Sequence, residues 1–426
     1  MESHKVLIIG SGGRENALAW KISQSRFCEK LFIAPGNAGT SFLGENVEIS
    51  VLDFIAIRDL ILSKKISVVI IGPEDPLVNG LHDFLINHIK TENFIVIGPK
   101  KNGATLEGSK KFAKEFMIKH KIPTARYRIF NKKNIHEANA FLNTLKSPYV
   151  LKADGLAAGK GVLILTDLNE AKKSLENMIL KKKFGQASER VVIEEYLNGI
   201  EVSSFVLTNG DSYKIFPMAK DYKRIGAGDT GLNTGGMGAI SPVPFVDKKL
   251  FHKIENQIIR PTINGLKKDK IDYLGFLFIG LMIVENEPYV IEYNVRLGDP
   301  ETEAILPRIE SDLLEIFLQL KSSRLQTSNL KVSELFSSTV MTVSKGYPEK
   351  YEKGKIISGL DCKSDSFLFH SGTKKENQNT VTSGGRVIAV TSTDKLLKKA
   401  IEKSYKTISK INFEGKTFRE DIGFDL

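Results

Sequence analysis

Two oxygen-bearing side chains stand at alternate positions in the string VIEYNVR, near residue 290. The string reads as a β-strand, and alternate side chains of a strand share a face. Glu292 and Asn294 should therefore point together. Tyr289, Ile291 and Tyr293 should lie on the opposite face. Two oxygen ligands suit Mg²⁺, which takes its other ligands from water and nucleotide phosphates. The spacing favours a divalent-metal site, and the alternative is a pair of solvated polar residues on an edge strand.

The residues after this strand add charge at the same end. Arg296 could stabilise a phosphoryl group during transfer, because a fixed guanidinium can meet the charge that develops there. The string GDPE at residues 298–301 adds further acids. The sequence therefore favours metal and phosphate chemistry where this strand ends.

The first glycine-rich loop, GSGGRE at residues 10–15, follows an apolar run and precedes a helical pattern. Backbone N–H groups at such a helix start can bind an anion, and Arg14 adds a guanidinium suited to phosphate. The loop is not a complete dinucleotide fingerprint, because Glu15 occupies the third glycine position and the second strand run ends without an acid for a ribose. A simple tight turn is the alternative.

The second loop, KADGLAAGKG at residues 152–161, lies between two predicted strands. Its small residues allow close backbone approach, and Lys152 and Lys160 could neutralise a polyphosphate. The loop differs from a Walker loop, since Gly161 follows the second lysine where that loop has Ser or Thr. A flexible hairpin is the alternative.

A third segment, VVIEEYLNGIE at residues 191–201, runs from an apolar strand into two acids and a turn. Such a hinge can offer backbone groups to an adenine edge, while a later carboxylate holds ribose hydroxyls. Exposed acids at a strand end are the alternative. No histidine pairs at metal-ligand spacing with another histidine or cysteine, so catalysis is expected to rest on positioning and charge.

The elements that must position these loops follow from periodicity. In the first hundred residues apolar runs alternate with amphipathic stretches, which predicts a parallel α/β sheet. A compact α+β module follows, and Ser109 is placed to cap its first helix. Residues 226–238 read as a long glycine-rich loop. Near the end of the sequence a strand is predicted at 387–390 and a helix at 393–410.

The composition narrows the class of protein. A chain of 426 residues, 41% hydrophobic and 26% charged, is typical of a globular protein with several domains. The net charge of +11 comes mostly from lysines spread over helical faces, so no nucleic-acid partner is expected. No apolar stretch approaches the ~20 residues that span a bilayer, and no signal-peptide pattern opens the sequence. The two cysteines fit a reducing cytoplasm, which is the expected location.

Eleven strings taken together resemble the glycinamide ribonucleotide synthetase family of the ATP-grasp superfamily. They are GSGGRENALAW, APGNAGT, IIGPEDPLVNG, LEGSKKFAKEF, IPTARY, LKADGLAAGKGV, IEEYLNGIE, DTGLNTGGMGA, GFLFIGLMI, EYNVRLGDPETE and TSGGRV. They occur in the family's order and cover nearly the whole chain, so the combination is far more specific than any one string.

The resemblance implies ATP-dependent ligation of glycine to 5-phosphoribosylamine in de novo purine biosynthesis, through glycyl phosphate, with ADP and phosphate as products. It implies ATP and Mg²⁺ or Mn²⁺ as cofactors, a monomer, and no membrane partner. The implied fold is α/β and α+β multidomain. An N-terminal parallel α/β domain covers residues 1–106, an ATP-grasp domain 107–330 with a mobile lid at about 127–190, and a small C-terminal α+β domain 331–426.

The resemblance also assigns roles by motif position. The residues expected to bind ATP are Lys110, Lys152, Gly159, Lys160, Gly161, Glu194, Glu195, Leu197 and Glu201, the last at the ribose. Glu292 and Asn294 are expected to hold the metal. The residues expected to face phosphoribosylamine are Gly12, Gly13, Arg14, Asn37, Glu74 and Asp75. The catalytic candidates are Arg296, Lys160 and Asp221, with Arg296 and Asp221 on the glycine side.

The Gly-Gly-Arg turn at residues 384–386 carries a separate expectation. Its backbone N–H groups and the guanidinium of Arg386 could hold the 5′-phosphate of phosphoribosylamine. The alternative is a surface turn whose arginine pairs with a neighbouring acid.

Two positions depart from the family pattern. Asn16 and Tyr222 stand where the family usually has histidine, which affects fine substrate contacts and not the reaction class. Rival readings are a carboxylating or formate-using ATP-grasp ligase, a nucleotide-binding module without catalysis, and a nicotinamide-dependent dehydrogenase. The string DTGLNTGGMGA argues against the first. The intact residues Glu292, Asn294, Arg296 and Lys160 argue against a module without catalysis. The missing third glycine and the missing acid for a ribose argue against a dehydrogenase.

Overall fold

The computed structural model describes residues 3–157, 161–322 and 324–426. Its N-terminal part is a five-stranded sheet in the order β3-β2-β1-β4-β5, with every strand pair parallel. The strands are β1 (His4–Gly10), β2 (Cys28–Pro35), β3 (Glu45–Asn46), β4 (Val68–Ile71) and β5 (Ile95–Ile97). The helices are α1 (Gly13–Ser23), α2 (Phe54–Lys64), α3 (Glu74–Val78) and α4 (Leu81–His88). The predicted parallel α/β sheet is confirmed, and its apolar runs are buried as parallel strands require.

Two short helices, α5 (Lys101–Gly108) and α6 (Lys110–Lys119), lead into a separate module. As predicted, Ser109 caps α6, because its hydroxyl accepts from the amide of Phe112 at 3.2 Å. The module contains β6 (Tyr127–Asn131), α7 (Ala138–Asn143), β7 (Tyr149–Ala153), β8 (Val162–Leu165), α8 (Leu168–Ile179) and β9 (Arg190–Glu195). Its antiparallel sheet runs β6-β9-β7-β8 and has its own apolar core.

The largest sheet has nine strands and continues through the rest of the chain. Its first strands and the elements between them are β10 (Ile200–Thr208), β11 (Tyr213–Asp221), β12 (Arg224–Gly226), β13 (Thr230–Asn233), β14 (Gly238–Ser241), α9 (Lys248–Ile254), α10 (Arg260–Lys268), β15 (Gly275–Val284) and β16 (Glu287–Asn294). The order is β16-β15-β10-β11-β14, followed by strands from the C-terminal part. The short strands β12 and β13 pair with each other as a hairpin outside this sheet.

The C-terminal part extends the same sheet. It comprises α11 (Glu301–Ile305), α12 (Leu313–Leu318), α13 (Arg324–Thr327), β17 (Phe336–Ser344), β18 (Phe367–His370), β19 (Thr373–Glu376), β20 (Asn379–Thr382), β21 (Arg386–Asp394), α14 (Leu397–Ile408) and β22 (Lys416–Phe418). Strand β17 pairs with β14, and β21 and β18 follow it. The sheet is therefore continuous across the division predicted at residue 330.

Two local predictions are wrong, and a third is too short. The loop predicted at 226–238 contains strand β13 and the turn of the β12–β13 hairpin, which begins at Arg224. The strand predicted at 387–390 is confirmed, but it runs from Arg386 to Asp394, because it pairs with β17 from Phe336 to Val343. The helix predicted from residue 393 consequently starts only at Leu397.

A bulge changes the strand that carries Glu292. Gly280 pairs with Glu292 and Leu281 with Val290, so one residue is extra between them. Glu292 and Asn294 share a face, as predicted, and Tyr293 lies on the buried opposite face. The extra residue shifts the alternation of side chains between the two faces of the strand. Tyr289 therefore lies on the same face as Glu292, and its predicted position on the opposite face is wrong.

No helix within the described ranges combines the length and apolar character needed to span a bilayer.

Candidate active site

Glu292 on β16 is half-buried among four cations, and we call the region that they border the cleft. Lys110, Lys152 and Lys223 come from other parts of the fold, and Arg296 stands two residues after the end of β16. Burial raises the pKa of the Glu292 carboxyl, but these cations outweigh burial and hold the pKa below its ordinary value. The carboxylate is therefore ionised at neutral pH and surrounded by positive charge.

Lys114, Glu194 and Lys152 form a buried row of charges that borders the cleft through Lys152. Glu194 lies between Lys114 Nζ at 3.0 Å and Lys152 Nζ at 3.1 Å. Burial raises the pKa of Glu194, and the two lysines lower it below its ordinary value. The side chain of Glu194 is thus committed to these lysines. In the hinge that follows, Glu195 accepts from the amide of Arg126 at 2.7 Å, Tyr196 is exposed and Leu197 is half-buried.

The second glycine loop is tied to the start of helix α6 by an acid that the sequence analysis gave no role. Asp154 accepts from the amide of Lys111 at 2.8 Å and the hydroxyl of Ser109 at 2.9 Å. Its other oxygen pairs with Arg190 at 2.7 Å. Burial lowers the pKa of the neighbouring Lys110, although Glu292 partly offsets this. Asp154 thus sets where the base of the loop sits.

Only part of the second loop is described. Gly161 is held by its carbonyl, which accepts from the amide of Ala153 at 2.8 Å. Gly159 and Lys160, both predicted to bind ATP, lie outside the described residues.

Arg296 connects strand β16 to the N-terminal domain. Its guanidinium donates to Glu107 at 2.8 Å, to Glu74 at 3.3 Å and to Asn294 Oδ1 at 3.5 Å. Burial raises the pKa of Glu107 to about 7, even though Arg296 opposes this. The structure therefore joins Glu74 to Arg296, whereas the predicted neighbour Asp75 is exposed. Glu107 was missed, and its place inside the matched string LEGSKKF was the only available signal.

A second acid cluster surrounds Asp221 at the end of β11. Lys223 pairs with Glu201 at 2.5 Å, so the carboxylate predicted at the ribose already has a cationic partner. Burial raises the pKa of Asp221, and burial together with Asp221 raises the pKa of Glu301 to about 7. Glu301 also accepts from the hydroxyl of Ser203 at 3.1 Å. Lys223 was missed, although it lies next to Tyr222, and Glu301 was noted only as one of the acids in the string GDPE.

The first glycine-rich loop is filled by protein groups. Glu15 accepts from the amide of Gly12 at 2.6 Å and from the guanidinium of Arg14 at 2.6 Å. Arg14 also donates to the carbonyl of Leu297 at 3.2 Å, and its amide donates to Asp299 at 3.3 Å. The helix start predicted to meet a phosphate thus meets two carboxylates, and Arg14 is buried.

Asn37 likewise makes its bonds within the protein. Its amide nitrogen donates to the carbonyls of Ser11 at 2.9 Å and His370 at 2.7 Å. Its side-chain oxygen accepts from the amides of Gly39 and Thr40 at 2.9 and 3.0 Å. The side chain therefore fastens the N-terminal domain to the C-terminal part.

Arg386 lies where the three domains meet. We call this contact the three-domain junction, and it is formed by Gly13, Asp299, Glu303, Ser371 and Arg386. The guanidinium pairs with Asp299 at 3.0 Å and donates to the carbonyls of Asp299 and Gly235, both at 2.7 Å. A Cβ on Gly13 would lie 2.2 Å from Glu303 Oε1 and 2.5 Å from Ser371 Oγ, so a larger residue would force these two side chains to move. Arg386 thus pairs with a neighbouring acid, as expected if its role is structural and not phosphate binding.

The two unusual residues have different environments. Asn16 is buried, and its side-chain oxygen accepts from the amide of His370 at 2.9 Å. Tyr222 points away from the cleft, and its hydroxyl donates to Asp425 at 2.9 Å. Tyr222 therefore does not face the acid cluster around Asp221.

The cleft has the donors that a magnesium–nucleotide complex needs. Glu292 and Asn294 supply hard oxygen ligands on one face, and the lysines around them suit phosphate oxygens. In the described part of the chain no three His, Cys, Asp or Glu residues cluster as a self-sufficient metal site. This donor set fits a Mg²⁺ that completes its shell with phosphate and water.

Models for all three domains of one family match the chain. The N domain of phosphoribosylglycinamide synthetase matches residues 4–107, its ATP-grasp (A) domain residues 108–302, and its C domain residues 337–425. A phosphoribosylamine–glycine ligase of Chlorobaculum tepidum is 43% identical over 426 residues, covering 98% of this chain and 99% of that protein.

Solved structures agree with this grouping. The crystal structure of the phosphoribosylamine–glycine ligase of Thermotoga maritima matches with a TM-score of 0.85 at 35% identity, covering 98% of this chain and 99% of that one. The biotin carboxylase domain of 2-oxoglutarate carboxylase from Hydrogenobacter thermophilus, solved with MgADP and bicarbonate, matches with a TM-score of 0.73. It is 15% identical, covering 98% of this chain and 92% of that one, and this likeness shows the fold alone.

Proposed function

Because the chain belongs to the phosphoribosylglycinamide synthetase family, we propose how its residues perform that family's reaction. The enzyme uses ATP to ligate glycine to phosphoribosylamine in de novo purine biosynthesis. The mechanism and the residue roles that follow are the proposal.

The reaction proceeds in two displacements. A carboxylate oxygen of glycine attacks the γ-phosphorus of ATP, the bond to the bridging oxygen breaks, and ADP leaves. The amine nitrogen of phosphoribosylamine then attacks the acyl carbon of glycyl phosphate, phosphate leaves, and the nitrogen loses a proton. Activation must come first, because a free carboxylate is a poor acyl donor.

Water has to be excluded while glycyl phosphate exists, since a mixed anhydride hydrolyses readily. The module between β6 and β9 is the proposed lid, because it has its own core and connects through the hinge after Glu195. Its loop at residues 152–161 covers the phosphates when it closes.

The ATP phosphates contact Lys110 and Lys152, together with the loop residues Gly159, Lys160 and Gly161. The adenine lies at the hinge beside Glu195 and Leu197, and the ribose lies near Glu201. Glu194 acts through its two lysines, because its carboxylate pairs with Lys152, whose charge also acts on Glu292.

Glu292 and Asn294 hold the divalent metal, Mg²⁺ or Mn²⁺. When bound, this ion neutralises phosphate charge during phosphoryl transfer. Arg296 is fixed by Glu107 and Glu74 and lies beside Asn294, so it is placed to stabilise the transferring phosphoryl group. Asp221 lies on the glycine side, where its carboxylate can accept from the glycine ammonium group.

Phosphoribosylamine binds between the first loop and the three-domain junction. Gly12, Gly13, Glu74 and Asp75 border it from the N-terminal domain. Arg14, Asn37 and Arg386 are proposed to contact it while keeping part of their protein contacts, and Arg386 is assigned to the 5′-phosphate.

The observation that carries this proposal is that Glu292 and Asn294 share one face of β16 and that four cations surround Glu292. An isotope experiment tests the activation step. Glycine labelled with ¹⁸O in its carboxylate should transfer one ¹⁸O to the released phosphate, with ADP as the other product. AMP and pyrophosphate as products, or phosphate free of label, would sink the mechanism.

The substrate assignment has its own control. With bicarbonate or formate in place of glycine, ADP release that depends on phosphoribosylamine should stay at background. A monomeric state, a cytoplasmic location and the lack of a nucleic-acid partner stay predictions.

A further inference from the structure

The backbone that carries Asp221 continues in an extended form beyond the end of β11. The amide of Tyr222 donates to the carbonyl of Gly238 at 3.0 Å, which keeps this stretch beside β14. Side chains alternate along extended backbone. Asp221 and Lys223 therefore face the cleft, and Lys220 and Tyr222 face the opposite side.

That opposite side is covered by residues 419–425, which we call the latch segment. The hydroxyl of Tyr222 donates to Asp425 Oδ1 at 2.9 Å, and Lys220 pairs with Asp425 Oδ2 at 3.0 Å. Lys220 Nζ lies 4.0 Å from the centre of the Tyr222 ring, and the Arg419 guanidinium lies 5.1 Å from it. The ring is held by two cations, and its hydroxyl is tethered to a carboxylate.

The latch segment also contacts the β12–β13 hairpin. The Arg419 side chain is fully buried, pairs with Asp229 at 2.6 Å and donates to the carbonyl of Arg224 at 3.2 Å. Asp421 accepts from Arg419 Nε at 2.6 Å and from the amide of Gly228 at 2.7 Å. The segment thus holds the chain on both sides of Lys223.

We propose that the latch segment positions Asp221 and Lys223 for catalysis, and that Tyr222 is the residue through which it acts. Tyr222 contacts no substrate in this arrangement. It fixes the backbone between two cleft residues, and a shift of about 1 Å at such a residue can cost on the order of 100-fold in rate. The inference rests on the proposed function, because it takes Asp221 to lie on the glycine side.

The test compares Tyr222, which follows the end of β11, with Tyr213, the first residue of that strand. Tyr222→Phe removes the bond to Asp425, and Tyr213→Phe removes an equivalent bond, 2.7 Å long, from a tyrosine hydroxyl to Glu255 near the start of β11. One lost hydrogen bond corresponds to roughly a three- to tenfold effect. We expect Tyr222→Phe to raise KM for glycine by about that factor, with KM for ATP within about twofold. Tyr213→Phe should leave both constants unchanged.

Variants of the partner sharpen the result. Asp425→Ala should raise KM for glycine at least as much as Tyr222→Phe, and Asp425→Asn should recover part of the loss because its amide oxygen still accepts from the hydroxyl. The double variant Tyr222→Phe with Asp425→Ala should be no worse than Asp425→Ala, since residues that share one interaction are not additive. Additive losses would overturn the inference.

A readout without substrate separates this inference from the proposed function. Amide hydrogen exchange across residues 218–225 should accelerate in Tyr222→Phe and stay unchanged in Tyr213→Phe. Unchanged exchange, or equal changes in KM for ATP and glycine, would refute positioning by the latch segment. Asp221→Asn tests the glycine-side assignment separately. If this variant leaves KM for glycine unchanged while amide exchange still accelerates in Tyr222→Phe, the assignment of Asp221 to glycine is wrong, but positioning of this backbone by the latch segment is supported.

Discussion

The ATP side of the cleft and the three-domain junction contain similar charged residues but use them differently. Around Glu292, four cations act on one carboxylate, and Lys152, Lys223 and Arg296 among them also pair with other acids. At the junction, Arg386 is paired with Asp299 and with two carbonyls. Several cations from different elements therefore converge on Glu292 on the ATP side, whereas a single arginine holds the junction together.

This difference follows from the distance along the chain over which each region is assembled. Lys152 and Glu194 lie on the paired strands β7 and β9, so a local antiparallel register brings them together. Arg14 and Asp299 are separated by 285 residues and meet only because three domains pack together. A region that has to hold domains together uses its charges for that purpose, and a substrate there must compete with protein partners.

The largest effect is expected on the ATP side. Glu292→Ala should lower ADP release by at least ~100- to 1000-fold, because one preorganised electrostatic contact at the phosphates contributes that much. The unfolding midpoint should change little, since Glu292 faces the cleft and not the core. Glu287→Ala, on the same strand but paired with Lys253 at its far end, is the matched control. Full activity of Glu292→Ala at low Mg²⁺ would remove this residue from the site.

A smaller and mixed effect is expected at the junction. Arg386→Ala should raise KM for phosphoribosylamine by roughly ten- to hundredfold, because a charge-assisted contact contributes ~1.5–3 kcal/mol. It should also lower the unfolding midpoint, since the partner Asp299 is left without its guanidinium.

Arg386→Lys should recover only part of the loss in KM, because lysine cannot form the planar fork. KM for ATP and glycine should barely move in either variant. If only the unfolding midpoint falls, Arg386 is a structural residue and the two regions differ even more than proposed.

The smallest effect concerns the pH dependence of stability. Burial and the neighbouring Asp299 raise the pKa of Glu303 well above its ordinary value. The folded protein therefore keeps a proton that the unfolded chain loses above about pH 4.3, and stability falls as the pH rises from there through the raised pKa. Glu303→Gln has no proton to lose and keeps the neutral shape.

Thermal unfolding at pH 5, 7 and 9 measures this difference. The midpoint of Glu303→Gln should fall less than that of the wild type between pH 5 and 9, by roughly 1–3 °C. Glu402→Gln, an exposed change on helix α14, should follow the wild-type curve. Parallel curves for all three proteins would show that Glu303 holds no such proton.

The sequence alone was enough to predict the family, the parallel N-terminal sheet and the shared face of Glu292 and Asn294. Each of these depends on a short-range pattern: strings of matched residues, alternating apolar runs, or a spacing of two along a strand. The two strands around the second glycine loop were also predicted correctly from the sequence, because loop composition and strand periodicity are local properties.

Which charged side chains remain open to a substrate depends on how the domains pack and could not be predicted from the sequence. Arg14, Asn37 and Arg386 have the right chemistry for a phosphate, yet each has protein partners from distant parts of the chain. The direction of Tyr222 likewise depends on Asp425, 203 residues away. Contacts between residues so far apart leave no periodicity in the sequence, so only packing of the domains decides whether such a group binds ligand or protein.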